Sequence, residues 1–571
     1  MDRNTVLAFA LSMIVFVTYV MYQEDRRLDQ AMEEQARIEA ESASGSAQVA
    51  GQSDDAAPTA EPSTDAPAAA PGVAIAERTE ALPPVARAIP PRTSVLENGQ
   101  IKARISNGPG LIESWELRDF VERLPEGDVP IQLVDQDVPV FTVDVDGISG
   151  STFAQTRFEV VSETKREVVQ RAVTESGVLT RTIRLDPEGY GFDLDLSFES
   201  RRVDPVDAAF EIGLPARVSQ RADFRELSLL AYQDEDGVTR EFVNSIGQAG
   251  FFSFGGPPKP IQELEGRQRW AGFDVQFFAG VVVDPDERGR LDVDFEALEV
   301  GDLARAVART PKRSVGAGGA SEASLRGFLG PKTGAALGAM NARLESSVDR
   351  GWSWLEPLTL FFELALDWLY AVIPNYGWAI IVLTIMVRIV TAPLMVKQMR
   401  SAERMREVQP KIKALQERYA DDRQKQSEEM MKLYREENIN PLGGCLPLLL
   451  QMPVLIGLFY ALRTSIGLRH APWILWIDDL SQPATLFTIP GLDFPVRVLP
   501  LIMGASMFVQ QKMMPQTGMD PVQARMMLVM MPGMMLLISY TFPSGLVLYW
   551  TVSNLLGIAH QYWVRNHLQK S

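Results

Sequence analysis

The sequence predicts a multi-domain membrane protein: an antiparallel β-sandwich outside the cytoplasm, an all-α transmembrane core of five helices and a separate N-terminal anchor helix, making six spans. Three observations carry this reading. Apolar runs close to the length a hydrocarbon core requires recur after residue 375. Short alternating apolar and polar stretches fill residues 93–345. A stretch rich in Ala, Pro, Ser and Asp separates those strands from an apolar run at the N-terminus.

The N-terminal run, Thr5 to Tyr22, is 18 residues long, and Gln23, Glu24 and Asp25 follow it in place of a small-x-small cleavage site. It reads as an uncleaved anchor over residues 1–22 rather than a removed signal peptide. Residues 23–92 read as a flexible linker, because their stretch from Glu41 to Arg92 cannot bury enough apolar area to offset ordering entropy.

Residues 93–345 read as the sandwich. FTVDVD (Phe141 to Asp146) and GFDLDLSFE (Gly191 to Glu199) put apolar side chains on one face, and turns such as Asn107-Gly108-Pro109-Gly110 and Asp236-Gly237 punctuate the strands. The chain has a single cysteine, Cys445, so this domain must hold together by packing rather than disulfides. No catalytic cluster is visible in it. RGFLGPKTG (Arg326 to Gly334) lacks the Gly-Lys-Ser/Thr ending of a phosphate loop.

Residues 352–374 form an apolar segment interrupted by Glu356, Glu363 and Asp367 and led by two tryptophans, which suits an amphipathic helix lying in the membrane interface. Residues 375–571 form the core. Its spans are expected at Trp378–Val396, Leu446–Leu462, Val498–Gln510, Met526–Phe542 and Leu546–Gln561. Residues 397–440 carry eleven Lys and Arg and lie in the cytoplasm by the positive-inside rule. Parity then puts both termini inside and the sandwich outside. Within 397–440, Val408, Ile412, Leu415 and Tyr419 face Met430, Met431 and Tyr434 across a break at Asp421-Asp422, a helical hairpin that either packs on itself or offers a contact surface for partners.

The sharpest polar signal is Arg388, about 15 Å into its span by the helical rise. A cation there costs about 2.5–3.5 kcal/mol on insertion scales, so it needs a partner or water. Thr384 and Thr391 share its stripe, and Gln451, Ser506, Gln510, Trp550, Ser553 and Asn554 add polar groups on other spans. A buried polar network fixing helix packing is one reading. A hydrated groove facing lipid is favoured, because no acidic residue within the spans is placed to neutralise Arg388. Pro447, Pro453, Pro500 and Pro532 kink these spans and agree with an open cavity, whereas the methionines from Lys512 to Met535 read as gap fillers.

Composition narrows the classes further. The net charge of −18 argues against a specific nucleic-acid partner. One cysteine and three scattered histidines, His470, His560 and His567, give no metal site, and no cofactor motif appears.

NPLGGCLPLLLQMPVLIGLFYAL (Asn440 to Leu462), FPSGLVLYWTVSN (Phe542 to Asn554) and TIMVRIVTAPL (Thr384 to Leu394) closely resemble the YidC-type membrane protein insertases, and the order of elements is similar along the whole chain. The resemblance implies a periplasmic β-supersandwich, a location in the bacterial inner membrane, and a hydrophilic groove open to cytoplasm and lipid. In that groove Arg388 receives the polar part of an entering client, with Thr384 and Trp550 at client-contacting positions. Trp550 stands where the family commonly has Tyr, keeping the aromatic body but changing the polar handle. Implied partners are nascent membrane proteins, the lipid bilayer, a Sec-type translocon, and the ribosome. The family's basic C-terminal tail is nearly absent in RNHLQKS, which leaves the cytoplasmic hairpin as the ribosome contact.

Two other functions compete. An intramembrane serine protease would use Ser544 and His560, but about 24 Å of helix separates them where about 3 Å is needed. A polytopic transporter would show paired broken segments in two halves, and no such repeat appears. Neither matches the residues as well as a non-enzymatic insertase or chaperone.

Overall fold

The computed structural model describes residues 89–568, except 125–126, 135–137, 149–152, 219–226, 247–259, 287–288, 420–421, 438–445, 492–493 and 514–520. The expected anchor, most of the expected linker and Cys445 lie outside the described residues. Residues 89–518 and 528–568 belong to one compact unit, and the first residues of the helix Pro521–Ser539 group apart from it.

Two large antiparallel sheets form the first half. One, ten strands among the described residues, runs from Thr93–Glu97 through Ile101–Ser106, Gly110–Leu124, Val140–Asp146, Val206–Arg217, Leu303–Arg309 and Asp292–Glu299 to Ile261–Glu263. The other, of nine, passes from Gly237–Phe242 through Trp270–Asp274, Phe278–Val283, Ala320–Pro331 and Gly191–Ser200 to Glu159–Glu163. The alternation read from the sequence appears directly. In Gly191–Ser200 every second residue from Phe192 is buried, and Val140–Asp146 behaves alike. Arg326–Pro331 lies within a strand, so no phosphate loop exists there.

Long side chains cross between the sheets. The Trp115 indole N–H donates to the Leu329 carbonyl at 2.9 Å, and Phe192 packs on Trp115 and Phe141 with centroids 5.4 and 5.2 Å away. Gly327 allows this, because a Cβ there would sit 2.0 Å from the Phe192 ring. Each buried ring of this size contributes roughly 1.5–3 kcal/mol.

Two polar features are built into the core. Arg181 is fully buried, donates to the Gln170 side chain and to the Ser106 and Gly108 carbonyls, and stacks 3.8 Å over Phe158. Burial pushes its pKa down to about 9, so it stays protonated at neutral pH. Asp274 is buried between Lys332, at 2.8 Å, and Arg240, at 2.7 Å, and accepts from Ser228. Burial pushes the Asp274 carboxyl up, but Lys332 and Arg240 outweigh it and hold it below the ordinary range. Arg240 also donates to the Ser347 carbonyl at 2.6 Å, tying the segment after the last strand to the sandwich.

That segment leads into helix α1, Glu356–Val372. Thr359, Phe362, Leu366 and Leu369 recur at helical spacing and are buried against neighbouring helices, whereas Leu360, Phe361, Leu364, Trp368 and Val372 are exposed. Arg350 sits at its start, 3.1 Å from Glu363 and 3.6 Å from Glu356. Trp352 and Trp354 are exposed and stacked on each other.

Helix α2, Tyr376–Arg418, is 43 residues long, about 64 Å by the helical rise. Its Asn375 cap accepts from the Trp378 N–H. The sequence reading divided this stretch at Lys397, but the first span and the first arm of the hairpin are one uninterrupted helix. Helix α3, Arg423–Glu436, is capped by Asp422 and returns alongside it. Val408 and Ile412 pack against Met430, Leu433 and Tyr434, while Met431 is exposed. Helices α4 (Leu446–Thr464), α5 (Val498–Met513), α6 (Pro521–Ser539) and α7 (Ser544–Leu568) follow, at the other four expected apolar segments. Among the described residues Tyr376–Pro393 is long and apolar enough to cross a bilayer, with mean hydropathy 1.7; Met452–Thr464 and Leu528–Ser539 are shorter apolar helical stretches.

Asp274→Asn removes the counter-ion of a buried lysine and should cost about 3–5 kcal/mol. The expected result, read by limited proteolysis of the full chain during thermal ramping, is earlier cleavage between residues 93 and 345 with the helical half unaffected. Because the Asp274 carboxyl is depressed in the folded state, its contribution is present above the pKa of an unfolded aspartate. It is lost as pH falls through the lower folded value, so wild type and variant should converge under acid.

Candidate functional site

Five of the polar residues singled out in the core, Arg388, Ser506, Gln510, Ser553 and Asn554, meet where α2, α5 and α7 pack. Arg388 is half-buried on α2. Its Nε donates to Ser553 Oγ at 3.1 Å, its Nη2 reaches the same hydroxyl, and its Nη1 points at the Met395 sulfur 3.4 Å away. No carboxylate pairs with it among the described residues. All its hydrogen-bond partners are thus neutral.

The two threonines on its stripe are turned back on their own helix. Thr384, buried, donates to the Ile380 carbonyl at 2.6 Å, and Thr391 donates to the Val387 carbonyl at 2.9 Å. This satisfies both protons inside an apolar surrounding and leaves their oxygens able to accept.

Across from Arg388, Ser506 on α5 donates to the Met503 carbonyl and accepts from the Asn554 amide at 3.2 Å, linking α5 to α7. Gln510, one turn further along α5, lies against Gly557: a Cβ at that glycine would be 2.5 Å from Gln510 Nε2 and 3.9 Å from Arg388 Nη2. Arg388, Ser553, Asn554, Ser506 and Gln510 therefore form one polar cluster. Trp550 stands one turn before Ser553, its ring 5.9 Å from Phe542 and its indole N–H buried without a hydrogen-bond partner. The Gln451 side chain lies outside the described residues.

Towards the start of α2 and α7 the cluster ends in packed apolar residues, among them Ile380, Leu383, Leu546, Val547 and Met503. On the outer face of α2, Ile389 and Val390 are exposed beside Arg388. A cation with neutral partners, amides and hydroxyls beside it, an apolar plug on one side and exposed aliphatic surface on the other can attract an acidic or polar segment.

Sequence reasoning missed Gly557, whose lack of a side chain makes room for Gln510. It also weighed His560 only as a metal ligand, which it rejected, and as a protease residue. His560 is half-buried one turn beyond Gly557, its Nδ1 without a hydrogen-bond partner among the described residues and its ring stacked on Trp563 at 6.5 Å. The signal available was its spacing of seven from Ser553, two helical turns on one face. Ser544, at the start of α7, accepts from the Ala484 N–H at 2.8 Å and donates to the Gln482 carbonyl, which ties the helix to the loop before α5 and lies far from His560.

Two known families match the chain. The YidC periplasmic domain matches residues 93–362, and the family described as 60Kd inner membrane protein matches residues 368–571. A membrane protein insertase YidC of Syntrophobacter fumaroxidans is 35% identical over 396 residues, covering 68% of each chain. One from Pseudomonas putida is 44% identical over 259 residues, 45% of this chain and 44% of that protein's length. A solved structure of an active YidC insertase with its first transmembrane domain resolved is similar at 19% identity and a TM-score of 0.35, covering 84% of this chain and 94% of that one.

Gly557→Ala gains helix propensity, and the flexible end of Gln510 can yield to one methyl group. Gly557→Leu has no such room and should lose roughly 1–3 kcal/mol from the packing of α5 on α7. Thermal unfolding of the full chain in detergent should show the alanine variant at or above wild type and the leucine variant below it. Shortening Gln510 to alanine in the leucine variant should restore part of the loss.

Proposed function

The chain belongs to the YidC family of membrane protein insertases, and on that footing we propose that it draws hydrophobic segments of nascent proteins through a polar groove centred on Arg388 and releases them sideways into the bilayer. As a member of this non-enzymatic family it is an inner-membrane insertase with a periplasmic β-sandwich domain and a helical C-terminal region. The proposal concerns how this chain does it.

The observation that carries the groove is that Arg388 is held by a hydroxyl and a thioether, with no counter-ion among the described residues. A cation kept in that state retains its field, and an acidic or polar stretch of a client is a better partner than either. Thr384, Thr391, Ser506, Gln510, Trp550, Ser553 and Asn554 would supply further hydrogen-bonding groups along the path, with Gln451 on α4. Moving backbone and polar side chains through hydrocarbon costs several kcal/mol per unsatisfied group. A preformed polar lane lowers that cost, and the apolar plug at the start of α2 and α7 would keep the lane from becoming a leak. The exposed Ile389 and Val390 suit the lipid side, where the client's apolar helix would leave.

The accompanying topology has six spans, both termini and the α2–α3 hairpin in the cytoplasm, the sandwich in the periplasm and α1 in the interface. It is supported by the basic residues of 397–440 and by the exposed apolar face of α1. A Sec-type translocon, and a ribosome met by the hairpin, are the partners this arrangement would serve.

Arg388→Lys should keep most insertion activity, since one ammonium can satisfy Ser553 and still carry the charge. Arg388→Ala should lower insertion of a client with an acidic translocated tail about tenfold, equivalent to ~1.4 kcal/mol. The measurement is protease protection of one such client in membranes containing equal amounts of each variant, and full activity of the alanine variant would defeat the groove reading. For the topology, cysteines at Ser427 and at Val203, which is 87% exposed, in a Cys445→Ser background should react with an impermeant reagent from opposite sides. Labelling of both in intact spheroplasts would overturn it.

A further inference from the structure

The connection between α4 and α5 carries an apolar tip on a charged base. The run Arg469-His470-Ala471-Pro472-Trp473-Ile474-Leu475-Trp476-Ile477-Asp478-Asp479 closes on itself: the Trp473 N–H donates to the Ile477 carbonyl at 2.9 Å and the Leu480 N–H to the Ala471 carbonyl at 3.0 Å. Ile474 and Leu475 stand at the tip, and Leu475 is 80% exposed. Leu475 also has φ of 58°, a left-handed conformation that a bulky side chain rarely adopts. Backbone of this kind persists where the surroundings impose it, and such positions cluster at functional sites.

The residues before the tip rest on the start of α2. Trp473 lies across Gly377, where any Cβ would come within 2.1 Å of its ring, and meets Trp378 edge-on at 5.9 Å. The Asn375 amide donates to the Pro472 carbonyl at 3.2 Å. The loop is therefore pinned to the first turn of the stretch Tyr376–Pro393, which has the length and hydropathy of a span. The base is held from the sandwich: Arg123 donates to the Asp478 carbonyl at 3.2 Å and the His470 carbonyl at 3.3 Å, and Arg469 donates to the Val121 carbonyl. Among the described residues no such hydrogen bond holds the Ile474 and Leu475 side chains at the tip. A loop fixed at the mouth of a span, with aspartates at its base and exposed aliphatic side chains at its tip, matches the gradient from headgroup to acyl chain.

We propose that this loop is a lipid anchor, with Ile474 and Leu475 inserted among the acyl chains of the extracytoplasmic leaflet and Asp478 and Asp479 at headgroup level. The occupant of the exposed tip is lipid rather than protein because the tip continues the exposed face of α2 that begins at Trp378 and includes Ile385 and Ile389. The choice of leaflet rests on the topology proposed above; the depth of the tip does not. Anchoring here would fix how deep α2, and with it Arg388, sits in the bilayer.

The test uses the full chain with Cys445→Ser and either Leu475→Cys or Asp478→Cys, labelled with nitrobenzoxadiazole, in vesicles of phosphatidylethanolamine and phosphatidylglycerol. The label at 475 should be quenched several-fold more by a nitroxide on the lipid acyl chain than the label at 478, and iodide in the water should show the reverse order. Equal iodide quenching at both positions overturns the anchor. Protection of position 475 from both quenchers also overturns it, because protein would then cover the tip. Iodide confined to one side of oriented vesicles separates the two readings: a deep label at 475 with position 478 reached only from the cytoplasmic side would refute the topology and leave the anchor standing.

Discussion

A positive charge held inside a helical bundle by a hydroxyl and a thioether, with no counter-ion among the described residues, is the constraint around which the C-terminal half is arranged. Arg388 needs hydrogen-bond acceptors close by, and Ser553 can serve only if α7 comes close to α2. Small residues make that approach possible. Ser553 and Gly557 lie on α7 facing the cluster, and Ser506 lies on α5 bonded to Asn554. Larger side chains at these places would push the helices apart and strand the guanidinium in hydrocarbon. The same packing leaves the arginine under-compensated, because hydroxyl, amide and thioether groups stabilise a cation without neutralising it.

The β-domain solves a different problem, that of staying folded without disulfides. Its two sheets are locked by apolar rings and by polar groups that reach from one sheet to the other or to a distant segment. Trp115 bonds the opposite sheet through Leu329, and Arg181 gathers two carbonyls from the turn after Ile101–Ser106. The Asp274 cluster then joins the sandwich to the chain leaving it, since Arg240 holds both Asp274 and the Ser347 carbonyl. A few residues on, Arg350 repeats the device against Glu363 of α1. Consecutive ion pairs thus carry the fold from the sandwich into helix α1.

Much of this was legible in the residues. Alternation exposed strands such as Gly191–Ser200, and helical spacing brought Val408 and Ile412 opposite Met430 and Tyr434. The polar stripe of α2 was visible because threonines flank an arginine at three and four residues, and the cluster did draw in Ser506, Gln510, Ser553 and Asn554. Arg181 and Lys332 were not legible. Arg181 reaches the Ser106 carbonyl 75 positions away and Lys332, just past the end of its strand, reaches Asp274 58 positions away, so local sequence shows only a cation where a core residue belongs. Gly557 was missed because an absent side chain has no chemistry to notice until its neighbour is known. The continuity of α2 was missed for a third reason: the change from apolar to charged composition at Lys397 mimics the end of a span, although the backbone continues as one helix to Arg418.

That continuity has a mechanical consequence. The helix that carries Arg388 also carries the first arm of the cytoplasmic hairpin, so any load on Val408 and Ile412 acts along the same rod. Pro393 lies between them, five residues beyond Arg388, and its ring removes the N–H that would otherwise bond the Ile389 carbonyl. Ile389 is exposed on the outer face, so the released carbonyl lies one residue from the arginine. A second interior proline, Pro410, falls within the hairpin arm itself. At the other end the rod is clamped, by its Asn375 cap and by Trp473 resting on Gly377. Arg388 and the first hairpin arm therefore share one backbone that is fixed at its outer end and lacks a ladder hydrogen bond at each proline.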